Sequence, residues 1–315
     1  MPKVSICIPT YNQLKYLEKC ISSILMQEYT DYEIIVSDDS TNNDVEVFIS
    51  SIKTEQKIYY YKNAKPLGTP ENWNFAISKS NGDYIKLLHH DDFFTRNDSL
   101  HQFVSLLDNN PEVNIGFSST EVLFVKTNRK MIQFCTDRNI SLLKKDFYYL
   151  FFKNIINAPS TTIYRKNVGV IYDISFKWLV DVDFYISVLE KNNFIAYLKT
   201  PLVCITNGAE GQVTQQVQYD KQIQVKEHVL LFSKIYNKVK SKNNYFIFFD
   251  ELFLRYNIKS LKELNSIIVI PDNLNIFFEN VFFNLNKNVK LKKIIYRIFN
   301  SKYNKKIFKF EKYKL

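Results

Sequence analysis

Long hydrophobic runs are missing from this sequence. No stretch of about 18 consecutive apolar residues occurs, which argues against a membrane-spanning helix. Glycine and proline are scarce, 6 and 8 among 315 residues, so nothing resembles a long flexible linker. The 4 cysteines, Cys7, Cys20, Cys135 and Cys204, form no CxxC pair and have no histidines at zinc-finger spacing. Three of them sit in apolar stretches and read as small buried hydrophobes in a reducing compartment. The opening MPKVSICIPTYN has too short an apolar run for a signal peptide. The expected location is therefore the cytoplasm, either free or lying on the cytoplasmic face of the inner membrane. No internal repeat is found.

What remains is an ordinary globular balance, 46% hydrophobic and 23% charged, with 26 Phe and 21 Tyr to supply core area. The net charge of +10 is local. Of 42 basic and 32 acidic residues, eleven basic and one acidic (Glu311) fall within 287–315, which leaves 31 of each before it.

Val4 to Pro9 is a short β-rich run, and Tyr11 to Gln27 follows with Leu14, Leu17, Ile21, Ile24 and Leu25 at helical spacing. Glu33–Ser37, Ile58–Tyr61 and Tyr84–Leu88 read as further strands, with helices over Val45–Ile52 and Glu71–Ser80 between them. Strands alternating with helices imply a parallel sheet covered on both faces. Ligands of such sheets bind beyond the carboxyl ends of the strands. The polar clusters fall there: Thr10-Tyr11-Asn12, Asp38-Asp39-Ser40 and His89-His90-Asp91-Asp92. Shorter strands at Ile115–Ser118 and Ser160–Tyr164 and a helix near Val182–Lys191 come next, and from about residue 216 the pattern is helical. The expected division is 1–215, an α/β domain, and 216–315, a helical basic extension.

A single Asp-Asp at a strand end is most simply turn chemistry or a helix cap. Two pairs aimed into one crevice repel each other unless a cation or hydrogen-bond donors occupy it, and a divalent ion on a diphosphate meets that need.

The opening VSICIPTYNQLKYLEKCISSILMQEYTDYEIIVSDDST resembles the start of family 2 inverting glycosyltransferases, which have the GT-A fold. The stretch LGTPENWNFAISKSNGDYIKLLHHDD resembles the second block of that family, ending in its variant of the DxD metal motif. The resemblance spans roughly residues 3–215. It implies a Rossmann-like, mostly parallel sheet and transfer of a sugar from a nucleotide-diphosphate donor to a hydroxyl of a glycan or lipid-linked saccharide. Pro9, Thr10 and Tyr11 would line the base pocket, with Asp39 accepting from a pyrimidine ring N–H; Gly68 and Asn72 belong to the same nucleotide-binding set. UDP is the expected nucleotide and TDP the alternative. Asp91 and Asp92 would serve ribose and an Mn²⁺ or Mg²⁺ ion. The family usually has an acid where His89 stands, and His90 would contact the donor or acceptor or be an exposed loop histidine with no catalytic duty.

Further along, Trp178-Leu-Val-Asp181-Val-Asp183 precedes the helical stripe Phe184, Tyr185, Val188, Leu189. An Asp there is most often a helix cap, yet the family places its catalytic base at this point, and Asp181 matches it. Asp183 matches a second acid, read as structural or as an acceptor contact, and Trp178 is placed to stack on an acceptor sugar or to pack in the core. The motif's usual preceding Glu is Val180 here. Asn157–Ser160 and Glu210–Thr214 resemble loops near the family's site, although Ala209 stands where many relatives carry His.

In the tail, Leu291, Ile294, Ile295, Ile298 and Phe299 form one stripe, with Lys290, Lys293 and Arg297 opposite. That pattern suits an anionic membrane surface or a helix packed on the protein itself. Basic clusters among aromatics can also track nucleic acid, but nothing else supports it and no nucleic-acid partner is expected. A protein that binds a nucleotide sugar without transferring it remains the rival reading.

Overall fold

A computed structural model describes residues 1–209, 211, 212, 214 and 217–287. The described residues divide into two compact units, the first spanning Met1–Gln212 and the second beginning after it. The basic stripe of the tail lies outside the described residues. Among those described, no helix is long and apolar enough to cross a membrane.

The first unit opens with β1 (Val4–Thr10), α1 (Leu14–Leu25), β2 (Tyr32–Asp38), α2 (Asp44–Ser51), β3 (Lys57–Lys62), α3 (Glu71–Ser78) and β4 (Tyr84–Leu87). These follow the expected elements closely. Both β1 and β2 are buried at every position, so their side chains pack on both faces of the sheet. Ile6, Ile8, Ile34 and Val36 meet Leu17, Ile21 and Ile24 of α1 and Val45 of α2 in the core. Full burial of each such side chain contributes on the order of 2 kcal/mol. The continuation is β5 (Phe93–Phe94), α4 (Ser99–Asp108), β6 (Ile115–Phe124), β7 (Arg129–Gln133), α5 (Asp137–Lys145), β8 (Thr162–Arg165), α6 (Val180–Leu189) and β9 (Ile195–Asn207).

The strands form one sheet in the order β3-β2-β1-β4-β8-β6-β9-β5, with β7 paired to β6. From β3 to β4 every pairing is parallel. Beyond β4 the sheet is mixed: β8 runs antiparallel to β4 and β6, β9 is parallel to β6, and β5 is antiparallel to β9. The parallel half therefore sends the ends of β1, β2 and β4 to one edge. At the opposite edge, buried Glu33 accepts from the Ser5 hydroxyl and the Asn81 backbone N–H, both at 2.6 Å. Gly82 makes this close approach possible, since a Cβ there would lie 2.6 Å from the Ser5 nitrogen.

Two differences from the sequence reading have local causes. Pro159–Thr161 is a 3₁₀ turn, and the strand expected to begin at Ser160 starts only at Thr162. Helix α6 begins at Val180, earlier than its apolar stripe suggests, because Asp181 and Asp183 occupy its first turn. All four cysteines are buried free thiols.

The second unit contains helices Lys221–Ile235, Asn243–Tyr256, Leu261–Asn265 and Asn275–Lys287. Its core is aromatic: Phe232 stacks on Tyr245 and meets Phe249 and Phe277 at ring-centroid distances of 4.9 to 5.1 Å. His228 is buried beside Phe248, with Nδ1 2.6 Å from the Gln224 carbonyl oxygen. Because a carbonyl only accepts, Nδ1 carries the proton. Burial lowers the imidazole to about 4, with Arg255 pushing the same way and the Gln224 bond opposing. The unfolded chain therefore takes up a proton below about 6.5 that the folded chain refuses until about 4. Stability should fall by about 3 kcal/mol as pH drops through that window and level off below it. Denaturant unfolding at a series of pH values checks this, because His228→Phe should remove that part of the slope.

Candidate active site

At the carboxyl edge of the parallel half, the first acid pair separates. Asp38 ends β2 and turns inward, fully buried. Its Oδ2 accepts from the Tyr60 hydroxyl at 2.8 Å and Lys62 Nζ at 3.0 Å, and its Oδ1 from the Ser40 N–H at 2.8 Å. Asp39, 3% exposed, accepts from the N–H of Leu67 at 3.0 Å and of Gly68 at 2.8 Å, and from Asn63 at 2.8 Å. Of the two answers the sequence left open, a cation or hydrogen-bond donors, this pair has protein donors. Asp39 keeps room for one further donor, since a carboxylate has about four acceptor positions.

The neighbouring loops complete this side. Gly68 has φ +76 and open space where a side chain would stand. Asn72 is buried, bonded to Ser37 and Asn63, so its side chain is spent on joining β2 to α3. Thr10 is buried, and its carbonyl accepts the Asp39 N–H at 3.0 Å. The Tyr11 ring, by contrast, is 48% exposed at the end of β1. Asn12, at φ +49, laces the loop after β1 to the loop after β2 through Ser40 and Thr41. His90 spans from the Pro9 carbonyl oxygen, 3.2 Å from Nδ1, to the Gln13 side chain, 3.4 Å from Nε2.

The second acid group gathers His89, Asp91 and Asp92, whose ligand atoms all lie within 4.8 Å of one another. Asp92 is buried, its Oδ1 accepting the Thr206 N–H at 3.0 Å. Its Oδ2 is 3.9 Å from His89 Nδ1. Burial raises the Asp92 carboxyl well above its usual range, and the Asp91 charge adds to this, against pulls from Ser160, Thr206 and Lys86. Burial lowers His89 to about 4, with His90 and Lys86 pushing the same way and Asp91 opposing. Their contact is therefore not an ion pair at neutral pH. His89 Nε2 is buried and has no hydrogen-bond partner among the described residues, and its ring lies 4.7 Å from that of Trp73. Asp91 Oδ2 accepts from Gln212 Nε2 at 2.7 Å, which brings in the loop whose resemblance covered 210–214.

Beneath the cluster lies Lys86, fully buried, its ammonium donating to the carbonyls of Ser160 and Thr162. Burial lowers it to about 7, while Asp92 opposes. The sequence carried one sign of it, a Lys inside the apolar strand YIKLL.

Asp181 sits in the first turn of α6, but the cap residue is Leu179, so Asp181 is not the N-cap. Its Oδ2 accepts from Asn154 Nδ2 at 2.7 Å. Asp183 is buried, and Trp178 is partly buried just before the helix. The segment 154–160 reaches both groups: Asn154 bonds Asp181, and the Ser160 hydroxyl accepts the His89 N–H at 3.0 Å. Asn154 was not found from sequence, because an Asn in a loop carries no signal of its partner.

Residues 5–169 match the model of glycosyl transferase family 2. This chain belongs to that family. Among curated members it is 36% identical over 94 residues to a GalNAc(5)-diNAcBac-PP-undecaprenol beta-1,3-glucosyltransferase of Campylobacter jejuni, covering 29% of this chain and 30% of that protein. It is 34% identical over 114 residues to an abequosyltransferase of Salmonella typhimurium, covering 35% of this chain and 34% of the relative. The matches thus span about a third of those relatives' length. The fold is that of S. aureus TarS residues 1–349, solved in complex with UDP-GlcNAc, at TM-score 0.60 and 17% identity over 90% of this chain and 79% of that one. A Pyrobaculum calidifontis mannosyltransferase in complex with GDP-Man and Mn²⁺ gives TM-score 0.53 and 15% identity over 84% and 73%. Within the family 2 match lie both acid groups, while Asp181 falls beyond its end.

The buried Asp38 carboxylate gives the edge its stability. Asp38→Asn would face the Lys62 ammonium with an amide and lose about 2–3 kcal/mol. Thermal unfolding of that variant checks the value.

Proposed function

We propose that this chain is an inverting glycosyltransferase that takes a sugar from a nucleoside-diphosphate donor, UDP in the first instance. The acceptor is a hydroxyl of a glycan or lipid-linked saccharide. The observation that carries the reading is the grouping of His89, Asp91 and Asp92 at the end of β4, with Asp181 tied to the same 154–160 segment.

The residues fit a divalent cation. Their ligand atoms are mutually close, and Asp91 has one oxygen beyond its Gln212 bond. His89, Asp91 and Asp92 would hold the ion, which when bound stabilises charge on the departing diphosphate. The exposed Tyr11 ring offers a face for the base, and the remaining acceptor position of Asp39 suits a pyrimidine ring N–H. Asp181 removes the proton of the acceptor hydroxyl as that oxygen attacks the anomeric carbon opposite the diphosphate. One displacement inverts the configuration. The name of the Campylobacter relative includes a PP-undecaprenol acceptor, which supports a lipid-linked substrate here. The UDP-GlcNAc complex of TarS supports a UDP donor.

One imidazole among oxygen ligands favours a transition ion over Mg²⁺. Calorimetric titration should show UDP binding at least about tenfold more tightly with Mn²⁺ than with Mg²⁺, and His89→Asp should narrow that gap. Equal binding with both ions would count against His89 as a ligand. Asp181→Asn should lower kcat by about 10²- to 10⁴-fold while leaving donor affinity unchanged. Donor binding in a wild-type chain that transfers no sugar would instead favour the non-catalytic binder.

A further inference from the structure

Strand β4 carries one charged residue among apolar ones. Ile85 and Leu87, on either side of Lys86, are fully buried, and so is Lys86 itself. An apolar side chain here would be buried without a desolvation cost, whereas an ammonium needs acceptors. It finds them across the sheet. The pairing of β4 with β8 spans Tyr84–Arg165 and Ile85–Tyr164. Just beyond that ladder, Lys86 Nζ donates to the carbonyls of Ser160 and Thr162, the second at 3.1 Å. It also rests against the rings of Phe103 and Phe94, 4.5 and 5.7 Å from their centroids.

Ser160 belongs to the 3₁₀ turn Pro159–Thr161, and its two polar ends face different partners. Its carbonyl takes the Lys86 ammonium, and its hydroxyl accepts the His89 N–H at 3.0 Å. The same hydroxyl bonds Asp92: burial and the Asp91 charge raise that carboxyl, and Ser160 is among the groups that oppose the rise. A hydroxyl that accepts from one neighbour still has its own O–H to give, so one side chain serves both. The Asp92 N–H in turn donates to the His89 carbonyl at 2.9 Å, so the two residues are placed together.

Holding β4 to β8 does not require a buried ammonium, since the ladder and the bond from Arg165 to the Tyr84 hydroxyl at 3.1 Å already do so. What Lys86 adds is the place of Ser160. We propose that Lys86 is a positioning residue for the cluster at the end of β4. By fixing the Pro159–Thr161 turn it sets the Ser160 hydroxyl, which holds the His89 main chain and the Asp92 carboxylate. The consequence for a divalent cation rests on the reading of His89 and Asp92 as its ligands, while the contact itself is measurable with no ion present.

Selective ¹⁵N-histidine labelling of the full chain reduces the amide spectrum to its 4 histidines, His89, His90, His101 and His228. Solvent exchange of the His89 amide is then followed without nucleotide or metal. Ser160→Ala removes the acceptor and should speed that exchange by about tenfold. Lys86→Met, of similar length without the ammonium, should do the same. The double variant should be no faster than the faster single one, because both changes break one chain of contacts. Interior amides of α1 such as that of Ile21, read from the uniformly labelled chain, should keep their rates. A His89 amide unmoved by Lys86→Met, an equal rise at Ile21, or additive effects of the two changes overturns the proposal. Should Lys86→Met not fold, Lys86→Gln replaces it, with a smaller change in the same direction expected. In parallel, calorimetry should show UDP binding with Mn²⁺ about tenfold weaker in Lys86→Met, with metal-free UDP binding unchanged. An Mn²⁺-dependent gain that is present in the wild type and unchanged in Lys86→Met also overturns the positioning role. If the wild type shows no such gain while the His89 amide responds as stated, the cation reading fails and the positioning contact stands.

Discussion

Carboxylates gathered at one edge of a sheet repel each other and resist burial, and the structure around the ends of β2 and β4 is arranged to answer that. Asp38 takes the hydroxyl of Tyr60, the ammonium of Lys62 and the Ser40 N–H, while Asp39 takes three N–H donors from the loop ahead of α3. Asp92 takes the Thr206 N–H, and the buried ammonium of Lys86 lies below. An unpaired buried charge would cost several kcal/mol. The strand order follows from the same demand. Pairing β4 with β8 carries Ser160 to His89 and Lys86, and the end of β9 delivers Thr206 to Asp92.

The parallel half was legible because its strands are continuous apolar runs and its helices keep the 3.6 period, which burial on both faces requires. The mixed half was not. Strand β9 runs for 13 residues but carries Lys199, Thr200 and Pro201, and β5 is only two residues long. Neither has a period to read, and both exist because partners across the sheet hold them.

The candidate site divides in the same way. The ends of apolar strands brought out His89, Asp91 and Asp92, where polar residues stand out, and the family resemblance pointed to Asp181. It did not reveal that Asp38 turns inward, that Asn72 is spent on structure, or that Asn154 reaches Asp181. Those facts depend on side-chain direction and on contacts 24 or more residues apart in sequence. Family membership gives the fold and the transferase class.

Asp39 grips its loop through the main-chain N–H groups of Leu67 and Gly68. Such a grip is indifferent to which side chains the loop carries, apart from the glycine whose φ of +76 shapes the turn. Residues 64–67 can therefore be exchanged during divergence while the loop stays docked. A loop docked this way can change its side chains without first coming loose from the sheet.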